Sequence, residues 1–208
     1  SPSTPPPSSP PPSPPVTIKQ DPHMNLAHGG RADFRGEPRA TYSLVSSPGL
    51  AVNIGIDAAA FKLQEVIVEG TFITSVHVVS RTILDRKFRL SFNTHNLGEE
   101  GWSFDMINAS CGTEQYLMFP HKTRDCDEIN VAVEFSSFVL TTASWRFKIA
   151  AMPIYDRISG SPYRLDVGVE VLVDEEDLNA HGLIGQTFDG SGIARFGRQD
   201  YYPPLEIP

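Results

Sequence analysis

The chain has 208 residues, a formal net charge of −8 and a pI near 5.2, a balance that excludes the clustered Lys and Arg footprint of a nucleic-acid binder. Nine of its 18 prolines fall in the first 15 positions, where the other residues are Ser and a single Thr, so that stretch has nothing with which to bury a core. The remaining ~193 residues suffice for one domain that folds without metal or disulfide, and no run of about 18 apolar residues is present to span a membrane.

The chain begins at Ser1 with no apolar leader, so it reads as a processed or excised piece. Residues 1–15 are predicted to form extended polyproline II, because proline fixes φ and removes the backbone N–H that helix and sheet both use. At about 3.1 Å per residue this is a semi-rigid spacer. It suits a glycosylated extracellular stalk or a PxxP ligand. Such ligands usually carry a flanking base, and the nearest here is Lys19, which favours the stalk.

Residues 16–208 are predicted to be one all-β domain, an antiparallel sandwich or barrel. Strands are expected over 42–45 and 51–56, with a long bent strand or two central ones over 66–79, broken at Gly70. Phe88, Leu90 and Phe92 alternate with Lys87, Arg89, Ser91 and Asn93, the period of a strand with one buried face. Further strands are expected over 116–119 and 129–135. Trp145, Phe147 and Ile149 form another, and Leu165, Val167, Val169, Val171 and Val173 the last. Turn signals separate these segments, and only 57–61 and 174–180 offer a helical turn. Short strands at this spacing point to a sandwich or barrel.

Cys111 and Cys126 lie fifteen positions apart, between predicted strands. Neither has zinc-ligand spacing, which leaves a disulfide, the expected state, or two buried thiols. Asn108-Ala109-Ser110 is an N-glycosylation acceptor triplet. The Pro-rich segment, the cysteine pair and the triplet converge on an oxidising, extracellular setting.

Catalytic signatures are absent: the chain contains no GxSxG, HExxH, Walker loop or GxGxxG. Asp189-Gly190-Ser191-Gly192 reads as a tight loop with no adjoining His. His23, His28 and Asp33 could converge on a metal, though lone loop histidines are more often hydrogen-bonded polar residues. Asp174-Glu175-Glu176-Asp177 lacks the alternation that wraps carboxylates around calcium, and Asp174 is expected to cap a short helix. No catalytic residue, metal or cofactor is therefore assigned. Trp145 reads as core. Trp102, Tyr201 and Tyr202 are the candidate ligand contacts, aromatic faces suited to stacking on a sugar ring.

Asp21-Pro22-His23-Met24, followed by His28-Gly29-Gly30, Asp33-Phe34-Arg35-Gly36 and Tyr42-Ser43-Leu44, resembles the opening of von Willebrand factor type D domains. His181-Gly182-Leu183-Ile184-Gly185-Gln186-Thr187-Phe188 resembles their closing element, with Ile184 where that family has cysteine. The likeness is greater to cysteine-poor relatives, the plant root-cap family and the C-terminal domain of inter-alpha-trypsin inhibitor heavy chains. Gln20 departs from the glycine that precedes Asp-Pro-His in the family. The Ser-Pro run resembles the spacers of algal and plant extracellular-matrix glycoproteins.

The resemblance implies a secreted, non-catalytic β-sandwich used in assembly. The expected function is a structural or adhesive module of a matrix or cell-surface assembly, with an extracellular-matrix protein or polysaccharide as partner and self-association possible. The alternative is a carbohydrate-binding module that anchors to wall polysaccharide.

Overall fold

Segments that alternate apolar and polar residues bury one face, as at 87–93 and 145–151, and the computed structural model, which describes residues 16–19, 22–97 and 107–193, has fifteen strands among them. In chain order they are β1 (Val16–Lys19), β2 (His23–Asn25), β3 (Arg31–Asp33), β4 (Thr41–Ser47), β5 (Leu50–Leu63), β6 (Val66–Arg81), β7 (Lys87–Asn93) and β8 (Ile107–Cys111). There follow β9 (Glu114–Met118), β10 (Thr123–Cys126), β11 (Ile129–Val133), β12 (Ser137–Thr141), β13 (Trp145–Pro153), β14 (Arg157–Gly160) and β15 (Tyr163–Val171).

These strands make two antiparallel sheets. An eight-stranded sheet runs β10-β11-β12-β13-β15-β1-β2-β3. A seven-stranded sheet runs β14-β5-β6-β7-β8-β9, with β4 also paired to β5. Of the antiparallel sandwich or barrel expected from the sequence, the observed all-β fold is the sandwich. Its core lies between the sheets, where Phe88, Phe92, Phe138 and Phe147 are fully buried. Phe92 and Phe138 meet across the interface edge-to-face, with ring centroids 6.2 Å apart. Burial of each such ring contributes about 1.5–3 kcal/mol.

Three expectations are corrected. Residues 57–61 are not a helical turn but the continuation of β5, which pairs with β6 from Leu50 to Leu63. Alanines 58–60 favour a helix locally, but β6 on one edge and β14 on the other supply ladder bonds that override that preference. The cysteines lie within strands rather than between them, closing β8 and β10. Within 174–180 the expected helical turn does form, as a 3₁₀ turn at Glu175–Asp177, but Asp174 does not cap it with its side chain.

Residues 181–184 dock on the sandwich through backbone. Leu183 N–H donates to Ser43 O and Ile184 N–H to Leu44 O, both at 2.9 Å, so residues 43–44 and 183–184 lie against each other. Gly182 sits between them at φ +96, and a Cβ there would lie 2.8 Å from Leu44 O. Both the left-handed backbone and the close carbonyl demand glycine. Gly185, by contrast, would give its Cβ only ordinary contacts of 3.5 Å. Gly182→Ala should therefore lower stability by roughly 1–3 kcal/mol, while Gly185→Ala stays near wild type. Thermal melts of both variants check this, and equal effects would refute it.

Candidate functional site

The outer face of the seven-stranded sheet carries a groove of about 660 Å³ across β6, β7, β8 and β9. Its volume falls within the range of ligand sites. Strand register explains its composition. Ser91 of β7 pairs with His77 of β6 on one side and Asn108 of β8 on the other, and Asn108 pairs in turn with Leu117 of β9. The next row runs Val79, Arg89, Ser110, Gln115. Adjacent strands lie about 4.8 Å apart, so the face spans roughly 14 Å. The two middle strands present Ser91 and Arg89 on β7 beside Asn108 and Ser110 on β8, and His77 and Val79 flank them opposite Leu117 and Gln115.

His77 is fixed in place. Its Nδ1 bonds Ser91 Oγ at 2.8 Å and its Nε2 bonds Ser75 Oγ at 3.2 Å. Burial lowers its pKa, favouring the neutral imidazole, in which one ring nitrogen donates and the other accepts. Gly55 of β5 makes room for this arrangement, since a Cβ there would fall 2.2 Å from Ser75 Oγ.

The rim beside β8 is clamped to the other sheet. Cys111 on β8 is bonded to Cys126 on β10, with Cα atoms 5.7 Å apart, so the expected disulfide forms and joins the two sheets. Nearby, Arg86 grips both carboxylate oxygens of Asp127, and the Ile83 N–H donates to the Glu128 carboxylate at 3.0 Å. Arg124 lies over the Tyr116 ring, 5.3 Å from its centroid.

Other sequence candidates separate. Asn108, the acceptor of the glycosylation triplet, is exposed in the groove, on a strand. Trp102, Tyr201 and Tyr202 lie outside the described residues, as do the Pro-rich segment, Gln20 and Asp21. His23 and Asp33 pair at 2.6 Å, whereas His28 meets Glu175 at 3.0 Å. The three do not share one centre, and no cluster of three potential metal ligands occurs among the described residues. In the glycine loop, Asp189 Oδ1 accepts from the Ser191 backbone N–H at 3.0 Å, an Asx turn that stabilises the loop itself.

Apart from Asn108, marked by its glycosylation triplet, the groove residues carry no motif in the sequence. Arg89 and Ser91 were legible as the polar side of a strand, but nothing in the chain order places them beside Asn108 and Gln115. Ile107, Ala109 and Cys111 do alternate with Asn108 and Ser110, and that period-two signal was the available clue to β8. No protein-family model matches the chain, and no curated protein matches it.

Proposed function

We propose that the chain is a non-catalytic extracellular adhesive module whose groove holds a stretch of matrix or wall polysaccharide. The observation that carries this reading is the groove itself, an extended surface of hydrogen-bonding side chains with apolar strips from Val79 and Leu117. Sugar hydroxyls match the exposed amide donors and acceptors of Asn108 and Gln115, and the apolar faces of sugar rings match the strips. Among the described residues the groove's lining contains no carboxylate, whereas glycoside cleavage ordinarily uses a pair of them. It is suited to holding a chain rather than cutting it.

Affinity electrophoresis through gels containing matrix polysaccharides tests the reading. The protein should be retarded, and Ser110→Trp, which fills the groove floor from a half-exposed position, should run freely with an unchanged melting temperature. Equal retardation of the variant would refute the groove as the site.

Asn108 gives a second handle. A glycan attached there would project from the groove floor and cover it. Protein secreted with Asn108 glycosylated should lose polysaccharide binding that the unglycosylated protein shows. Mass spectrometry defines the two forms, and equal binding by both would exclude this face.

A further inference from the structure

We infer that the polysaccharide held in the groove is acidic, with Arg89 taking a sugar carboxylate. This rests on the groove reading above and adds the chemical class of the ligand. The chain carries 25 acidic against 17 basic side chains, yet among the described residues none that lines the groove is acidic, and Arg89 is the one Lys or Arg among them. His77, the other titratable base there, is favoured as neutral by burial.

Among the described residues the Arg89 guanidinium has no ion-pair partner. Arg81, on the same sheet face, is by contrast matched to Asp85 at 2.8 Å. Arg89 stands opposite Ser110 on β8 and Val79 on β6. Lys87, two residues earlier on β7, is exposed and projects from the same face about 7 Å away. A guanidinium presents a rigid planar fork that fits a carboxylate through two parallel hydrogen bonds. The surrounding Ser91, Ser110, Asn108 and Gln115 offer neutral donors and acceptors for the hydroxyls of the same sugar. A uronate ring needs both kinds of partner, whereas a neutral sugar leaves Arg89 unmatched.

The overall charge of −8 repels polyanions, so retention of one reports a local site rather than general attraction. The test uses the full, disulfide-bonded, unglycosylated chain and four probes. These are polygalacturonate, the same polymer with its carboxyls reduced to alcohols, a neutral glucan and dextran sulfate. Polygalacturonate should bind, and the carboxyl-reduced polymer should bind about tenfold to a hundredfold more weakly. Arg89→Gln should erase that difference with no change in melting temperature, and Arg89→Lys should restore part of it.

If the reduced polymer binds as well as polygalacturonate and Arg89→Gln changes nothing, the acidic specificity is wrong while the groove reading stands. Retention of dextran sulfate without polygalacturonate overturns the carboxylate assignment. If the folded protein retains none of the four, the groove reading falls and this inference falls with it.

Discussion

Removing the disulfide as the pair Cys111→Ala and Cys126→Ala should lower the unfolding free energy by about 3 kcal/mol in the chain-entropy account. The bond closes a fifteen-residue separation, and without it the unfolded chain regains the freedom that the link withheld. Both cysteines are nearly fully buried, so alanine is the suitable replacement, since a serine hydroxyl would add the cost of an unpaired polar group. For a chain of this size the loss corresponds to a fall in melting temperature of roughly 6–12 °C. Denaturant unfolding of the oxidised wild type and the double variant measures it. A difference below about 1 kcal/mol would show that the link constrains little. The groove should survive in the variant at low temperature, because the Arg86–Asp127 pair and the Glu128 contact still tie the same turns together.

Trp145→Ala should be at least as damaging, at about 3–5 kcal/mol. Trp145 is 1% exposed and joins three parts of the fold. It begins β13, stacks on Phe147 at 6.0 Å and meets Phe188 of the docked closing segment edge-to-face at 5.4 Å. Its indole N–H donates to Ser47 Oγ on β4 at 3.1 Å, which links the eight-stranded sheet to the edge of the other. Alanine would leave a cavity where these surfaces converge. Trp145→Phe should keep most of the packing and lose about 1 kcal/mol with the hydrogen bond. Calorimetry on both variants checks the order of effects, and a Phe variant as unstable as the Ala variant would contradict it.

These two residues also show what one-dimensional information carries. Trp145, Phe147 and Ile149 were assigned to the core from alternation alone, and each is at most 1% exposed. Alternation works because a strand sends successive side chains to opposite faces, so the period of two is written directly into the chain. The same rule places strands at 87–93 and 165–173, observed as β7 and β15, whereas 66–79, one bent strand or two, rests on its apolar run and is the single strand β6. Alternation failed at 57–61, where local helix preference yielded to pairing partners distant in sequence.

The sequence by itself determined the fold class, the buried faces of β7, β13 and β15 and the cysteine pair available for bridging. Tertiary structure alone decided which polar faces became neighbours. Arg89, Ser110 and Gln115 come from three strands, and only the register of β7, β8 and β9 sets them side by side. It also decided that the Cys111–Cys126 bond spans two sheets rather than one loop. The physical reason is that a strand's own pattern fixes which way its side chains point, while register comes from packing and pairing summed over the whole sandwich.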